Sequence, residues 1–170
     1  TLNDTGALAF GAGGASMVSG NLVVTTAGAI TQTQALSVAG TTSLTAGAGN
    51  NITLGGANNF VGAVSVVSGN NVTLTDINAL DLGASTVSGN LVATANGALS
   101  DSGNLLITGT TTLTAGAANN ITLNNANNFG GAVQVVSGNN VTLNDTGALA
   151  FGAGGASTVS GNLIVTTAGA

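Results

Sequence analysis

The 170-residue sequence contains no lysine, arginine, histidine, glutamate, cysteine, tryptophan, tyrosine or proline. Five aspartates supply all of the side-chain charge, and the formal net charge is −5 at pH 7. The chain therefore has no imidazole base, no thiol nucleophile, no amine for a Schiff base and no guanidinium to bind a phosphate. It also lacks any cation that could attract nucleic acid or an anionic membrane surface. These absences predict a protein that is not an enzyme, uses no cofactor and binds no nucleic acid.

Glycine, threonine and asparagine make up a large part of what remains, and glycine alone occurs 28 times. The sequence is nevertheless 44% apolar, with a mean hydropathy of +0.51. A chain of this length and composition has enough valine, leucine, isoleucine and alanine to bury a core. The longest run free of strongly polar residues, residues 6–15, is about half of what a bilayer span needs. We expect a folded chain that does not insert into a membrane.

Internal repeats organise the whole chain. Residues 1–29 recur as 142–170 with two substitutions, and residues 42–74 recur as 111–143 with 27 of 33 positions identical. The long period is therefore about 70 residues. We interpret residues 1–170 as a single segment of a longer repetitive protein.

A shorter period lies inside the long one. Apolar residues open successive blocks at a regular spacing, and two longer steps contain the additions LDLGAS and LAFGAGGAS, which we interpret as bulging loops. This spacing predicts one coil for about 22 residues, and about seven coils in all. The opening residues are Leu22, Leu44, Val66, Leu91, Leu113, Val135 and Leu163.

The local pattern is that of short β-strands. In residues 52–54 and 141–143 apolar and polar side chains alternate, and Gly-Asn, Asn-Asn or Ala-Gly pairs separate such runs. Short strands stacked coil on coil make an all-β fold, the right-handed parallel β-helix or β-solenoid, in which equivalent strands pair about 4.8 Å apart. The absence of proline agrees with this fold, because every interior strand needs its N–H groups for the ladder.

Two sets of residues are predicted to build the solenoid. Leu44, Ile52 and Phe60 are expected to lie inward in one coil, and Leu113, Ile121 and Phe129 are expected to be their counterparts three coils later. Four asparagines that directly precede an inward isoleucine or valine are expected to stack as ladders at the corners, where an amide can donate to one coil and accept from the next. These asparagines are Asn51, Asn71, Asn120 and Asn140.

Three stretches, VSGNLVVTTAGAITQ, TTSLTAGAGNNITL and ANNFVGAVSVVSGNNVTL, resemble the repeat region of filamentous-haemagglutinin-like adhesins. These adhesins are large exoproteins of Gram-negative two-partner secretion. Autotransporter passenger domains contain similar sequence motifs, so the secretion route stays open. The resemblance implies a structural stalk or filament, secreted to the bacterial cell surface, that supports attachment, aggregation or a biofilm matrix. Its partners would be neighbouring coils of its own longer chain and other rods, associated laterally or end to end. The surface or host ligand stays open.

The aspartates do not predict a metal or acid/base site. Asp4, Asp76 and Asp145 occupy equivalent repeat positions, which places them too many coils apart to share an ion. We expect the aspartates to be solvated turn residues.

A ligand-binding solenoid, for ice or for a glycan, is the alternative function. Binding to ice would need two columns of outward threonine, whereas Thr53, Thr73, Thr122 and Thr142 predict a single file. Thr75 begins a second column, but Asn144 replaces it in the matching coil.

Glycan binding would need exposed aromatic side chains, and the chain has four phenylalanines. Phe60 and Phe129 follow Asn-Asn in the same repeat position, and we expect them in the core. Phe10 and Phe151 lie in the Gly/Ala-rich segments and form the expected exposed pair.

Overall fold

The computed structural model describes residues 1–152 and 154–169, and within these residues it contains strands and no helix. In chain order the strands are β1 (Leu2–Asp4), β2 (Leu8–Phe10), β3 (Ser16–Val18), β4 (Leu22–Thr26), β5 (Ile30–Gln32), β6 (Leu36–Val38), β7 (Thr42–Thr45), β8 (Ile52–Phe60), β9 (Val64–Ser68), β10 (Val72–Asp76), β11 (Leu80–Leu82), β12 (Ser85–Val87), β13 (Leu91–Ala95), β14 (Leu99–Asp101), β15 (Leu105–Ile107), β16 (Thr111–Thr114), β17 (Ile121–Phe129), β18 (Val133–Ser137), β19 (Val141–Asp145) and β20 (Leu163–Thr167). Within the described residues, no helix is long and apolar enough to cross a bilayer.

Two parallel sheets form the walls of the molecule. The first sheet runs β1-β4-β7-β9-β11-β14-β17-β19-β20, and the second runs β2-β5-β8-β10-β13-β16-β18. The strand pairs of both sheets are parallel, and each strand pairs with its equivalents in the coils before and after it. The predicted parallel β-solenoid is confirmed.

The coils are slightly shorter than the sequence spacing suggests. Register partners in adjacent coils of the first sheet are about 20 residues apart, and the chain makes about eight turns. Leu44 pairs with Val24, while Leu22 pairs with Thr42. Leu22 and Leu44 are thus two positions out of register, whereas Leu44 and Val66 are register partners, because similarity between blocks does not fix which residue closes the coil.

A short third side completes most of the coils, and it changes place along the chain. In the first three coils β3 and β6 lie on this side, and β6 pairs with the end of β8, so that the third strand follows the second sheet. From β11 onward, β12 pairs with β15 and β15 pairs with the end of β17, and the third strand follows the first sheet instead. Between these regions β10 leads through a turn directly to β11, and this gives the shortest step, from Val64 to Leu82.

The long repeat consequently ends half a coil out of phase. Thr42 in β7 lies in the first sheet, whereas its repeat equivalent Thr111 in β16 lies in the second. Ile52 and Ile121 exchange sheets in the opposite sense. One repeat is therefore three and a half coils long, and repeat-equivalent residues face opposite sides of the solenoid.

The predicted inward residues are all buried, but their arrangement differs from the expectation. Leu44, Ile52 and Phe60 lie on successive sides of one coil. Their repeat equivalents lie three and a half coils further along and on exchanged sheets, not three coils further in the same columns. The relative exposures of Leu44, Ile52, Leu113 and Ile121 are 0%, and those of Phe60 and Phe129 are 2%.

Of the two segments expected to bulge, one does not. Residues 80–85 lie largely in β11 and β12, with only Gly83 and Ala84 between the strands. Residues 149–157, of which residue 153 is outside the described residues, contain one isolated bridge from Phe151 to Val133.

Inward side chains from both sheets meet in one apolar cluster that continues along the solenoid.

Candidate functional site

Asparagine ladders run along two corners of the solenoid. The backbone N–H and the side-chain Nδ2 of Asn71 both lie 3.2 Å from Asn51 Oδ1. The same two groups of Asn140 lie 3.1 and 3.2 Å from Asn120 Oδ1. Each amide oxygen therefore accepts from the next coil, and all four side chains remain exposed to solvent.

The ladders extend beyond the four asparagines that the sequence singles out. Asn71 Oδ1 accepts from Asn90 N at 3.1 Å, and Asn90 Oδ1 accepts from Thr110 N at 2.9 Å. In the second ladder, Asn140 Oδ1 accepts from Asn162 N at 3.1 Å. Asn90 and Asn162 precede leucine in Ser-Gly-Asn-Leu, and this motif is the sequence signal that would have added them to the ladders.

A second polar column lies inside the solenoid, centred on the fully buried amide of Asn58. Its Oδ1 accepts from Leu36 N at 2.9 Å, and its Nδ2 donates to Leu54 O at 2.9 Å. Asn58 also exchanges hydrogen bonds with the side-chain amide of Gln32 in the preceding coil, both at 2.8 Å. Because buried polar groups are costly when unpaired, this amide fixes the path of the chain where β8 bends around a corner.

The repeat copy of this column contains a carboxylate. Asn127 occupies the position of Asn58 and accepts from Leu105 N at 2.8 Å. Asp101 replaces Gln32, and its Oδ2 accepts from Asn127 Nδ2 at 2.7 Å. Asp101 Oδ1 also accepts from Asn124 N at 3.0 Å. A carboxylate can occupy this position because only donors of the neighbouring coil point at it.

The expectation that the aspartates are solvated is wrong for three of the five. Asp76 and Asp145 have a relative exposure of 1%, and Asp101 has 9%, whereas Asp4 is exposed. Asp76 Oδ2 accepts from Phe60 N at 2.7 Å, and its Oδ1 accepts from Asn78 N at 2.8 Å. Val-Thr-Leu-Thr-Asp alternates in and out, so the strand pattern itself places Asp76 inward. The bond from Phe60 N holds the preceding coil to the carboxylate.

Burial raises the pKa of the Asp76 carboxyl, and the hydrogen bonds from the backbone of Asn78 and Phe60 offset this increase in part. No cationic side chain exists in the chain to compensate the charge. The protonated form of Asp76 is consequently favoured more in the folded chain than in the unfolded one.

We expect the Asp76→Asn substitution to remove a pH-dependent part of the stability. The folded-state pKa of Asp76 lies above the unfolded value of 3.8. Its protonation therefore contributes to the free energy of unfolding, fully below pH 3.8, and this contribution is lost as the pH rises through the folded-state pKa. The free energy of unfolding of the wild type, minus that of the variant, should therefore increase as the pH falls from 7 to 4. Urea unfolding at several pH values measures it, and a difference that decreases on acidification would contradict the assignment.

The aspartates are not arranged as a metal site in the described part of the chain. No group of three or more potential ligands among His, Cys, Asp and Glu occurs there. The carboxylates of Asp76 and Asp101 already accept hydrogen bonds from the adjoining backbone. Their chemistry is that of structural acceptors inside a stack of coils.

The aromatic side chains do not form an exposed pair. Phe10 is 7% exposed and packs in the core, whereas Phe151 is 43% exposed. Phe60 and Phe129 lie in the core, as described above. Phe151 is thus the single phenylalanine with a solvent-exposed ring in the described residues.

Outward threonines form a two-column array on the second sheet, which we call the threonine face. In its first column Thr53, Thr73, Val92 and Thr112 are register partners in successive coils. In its second column Thr75, Thr94 and Thr114 are register partners. The expected single file is therefore incorrect here, because Thr122 and Thr142 belong to the opposite sheet and Thr94 and Thr114 complete the second column.

In the part of the chain that the structure describes, the hydroxyl groups of the threonine face have no hydrogen-bond partner. Among the described residues, the threonine hydroxyls that donate to the protein belong to residues outside this face, namely Thr26, Thr31, Thr33, Thr146 and Thr167. The second-column residues Thr75, Thr94 and Thr114 line a groove of about 440 Å³ together with Gly55–Ala57. The face thus presents neutral hydroxyl and methyl groups to solvent or to a bound partner.

The sequence pattern of a family described as repeats of unknown function (DUF5649) matches the chain three times, over residues 1–67, 69–136 and 138–170. The chain belongs to the DUF5649 family. Comparison with curated proteins gives no match, and comparison with solved structures gives none either.

The matches give the DUF5649 repeat a structural meaning. Successive matches begin at residues 1, 69 and 138, and each step corresponds to about three and a half coils of this chain. A DUF5649 repeat is therefore not a closed unit with its own core. It shares strand pairs and core contacts with the repeat that follows, as coils of solenoid proteins do.

Proposed function

We propose that the chain is a structural stalk or filament segment of a secreted bacterial surface adhesin, similar to the filamentous-haemagglutinin-like exoproteins. The motifs GNNITL and ANNF…GAVSV support this family resemblance, and the parallel solenoid agrees with it. The proposed location is the outside of the cell, where the segment would support attachment, aggregation or a biofilm matrix.

The observation that carries this proposal is the unbroken first sheet, which continues from β1 to β20 through every coil. Each strand between the ends is hydrogen-bonded on both edges, so a load along the axis is shared by many parallel bonds. Eight steps of about 4.8 Å give a rod segment roughly 40 Å long. A spacer built in this way is stiff, and its stability increases with the number of coils through contacts between neighbours.

The residue inventory supports a role without catalysis. The titratable side chains are five aspartates, three of which are buried. Those at Asp76 and Asp101 are held by backbone N–H groups of an adjacent coil, and these bonds use the oxygens that a catalytic acid or base would need. The nearly uncharged outer surface reduces repulsion between rods, and we propose that lateral association of rods accompanies this role.

Immunogold electron microscopy tests the proposal. An antibody raised against the 170-residue chain would be applied to intact and to permeabilised cells of the source organism. We expect gold particles along filaments that project from intact cells. Label seen only after permeabilisation, inside the cell, would refute the proposed location and role.

A further inference from the structure

We propose that the threonine face binds ice. This inference does not depend on the proposed role in an adhesin, because it rests on the geometry of the second sheet alone. The face consists of seven outward side chains in four successive coils, six of them threonine and one, Val92, of the same shape.

The repetition of this array restricts what can bind to it. Neighbouring positions repeat at about 4.8 Å along the axis and about 6.7 Å along a strand, because these are the spacings of paired strands and of alternate residues. A soluble ligand is normally held by a few different groups that converge in a cleft. Identical groups repeated in two directions are complementary to a partner that repeats in two directions, and such a partner is a crystal surface.

The chemistry of the face favours a neutral, hydrogen-bonding crystal. A threonine hydroxyl both donates and accepts, as a water molecule does, and the hydroxyls of the face have no partner in the described part of the protein. The face carries no charged side chain, since Asp76 of β10 points inward. Its methyl groups add apolar contact between the hydroxyl positions, and Val92 preserves that contact where the hydroxyl is missing.

The face is also preorganised. Threonine and valine are branched at Cβ and have few χ1 rotamers, and the parallel ladders beneath them hold the Cα positions. Ordering of side chains on binding therefore costs little free energy. A crystalline polysaccharide would share the hydroxyl lattice, but the face has no aromatic ring on which a sugar could stack, and this favours ice.

The opposite sheet provides a natural comparison. Its corresponding outward row is Ser100, Thr122, Thr142 and Ile164. The second row beside it is interrupted, because residues 124–126 leave the register between Leu123 and Asn127. We therefore expect ice to recognise the second sheet and not the first.

The test measures thermal hysteresis and ice-crystal shape for the 170-residue chain and two variants. Thr94→Tyr places a bulky ring at the centre of the threonine face, and Thr142→Tyr places the same ring on the outward side of the first sheet. We expect the wild type and Thr142→Tyr to facet growing ice and to depress the freezing point below the melting point. Thr94→Tyr should lose both effects, while circular dichroism confirms that both variants are folded.

Three results would overturn the proposal. The first is a wild-type chain that neither shapes ice nor is retained in a growing ice front. The second is an equal loss of activity in both tyrosine variants. The third is retention on powdered cellulose or chitin without any effect on ice, which would identify a crystalline polysaccharide as the partner. None of them would affect the proposed role as a rod segment, because the fold is unchanged.

Discussion

Replacing Asn58 by alanine should destabilise the chain by roughly 4 kcal/mol, because it leaves buried backbone groups without partners. Leu36 N would lose its acceptor, and Leu54 O would lose a donor at 2.9 Å. Thr75 O in the following coil would lose the hydrogen bond that Asn58 Nδ2 donates to it at 3.2 Å. The amide of Gln32 would lose both of its bonds to Asn58 at the same time. Urea unfolding at constant pH measures the effect.

Asn59→Ala is the matched control, since it removes an identical side chain from the adjacent position of the same strand. Asn59 is only half-buried, and its Oδ1 accepts one exposed bond, from Asn78 Nδ2 at 3.2 Å. We expect a loss of no more than about 0.5 kcal/mol for this surface change. Equal losses in the two variants would show that the inner polar column does not organise the coils.

Replacing Gly62 by alanine should cost at least about 2 kcal/mol, because the added methyl group would force two coils apart. A Cβ at Gly62 would lie 2.7 Å from Gly40 O and 2.8 Å from Gly40 C. Both atoms belong to the backbone of the preceding coil and cannot rotate away. The bond from Gly62 N to Gly40 O, now 3.2 Å, would break as the corner opens. Thermal unfolding followed by circular dichroism measures the loss.

Gly49→Ala is the control for this corner, because a Cβ at Gly49 meets no atom within 4 Å. Alanine at an open position of this kind reduces the entropy of the unfolded chain and changes stability by less than about 1 kcal/mol. If Gly62→Ala were as stable as Gly49→Ala, the tight contact between coils at this corner would be refuted.

The fold class can be predicted from the sequence because two independent patterns agree. The alternation of apolar and polar residues in 72–76 indicates a half-buried strand. The recurrence of the same sequence segments indicates stacked coils in which similar residues lie above one another. Parallel pairing follows, since a chain that winds in one direction returns each strand in the same sense. Burial of Leu44 and Ile52 also follows from the alternation.

The half-coil phase of the repeat cannot be predicted in this way. Similarity between residues 42–74 and 111–143 shows that the two copies have the same local structure. It does not determine the number of coils between them. That number depends on the turn between β10 and β11, where one coil closes without a third-side strand. The coil length is therefore a property of tertiary packing, and a period read from the sequence averages over it.

The buried aspartates were missed for a different reason. A carboxylate is expected at the surface, and this expectation conflicts with the alternation that places Asp76 beside Val72 and Leu74. The alternation prevails because the bend of the neighbouring coil presents unpaired N–H groups, such as Phe60 N, to an inward acceptor. Asp145 in the repeat copy is buried in the same way.

The central claim is that the chain winds as a parallel solenoid and that one long repeat spans three and a half of its coils. Pulsed electron paramagnetic resonance on nitroxide-labelled cysteine pairs tests it directly, and the chain has no native cysteine to interfere. One pair is Thr53→Cys with Thr112→Cys, three coils apart on the same sheet. The other is Thr53→Cys with Thr122→Cys, which are repeat equivalents on opposite sheets.

The account predicts about 14 Å between the Cα atoms of the first pair, from three coil spacings along the axis. For the second pair it predicts a label distance longer by at least about 10 Å, because the two labels point away from opposite faces of the solenoid. A Thr53–Thr122 distance equal to or shorter than the Thr53–Thr112 distance would place the repeats on the same face, and it would contradict the account.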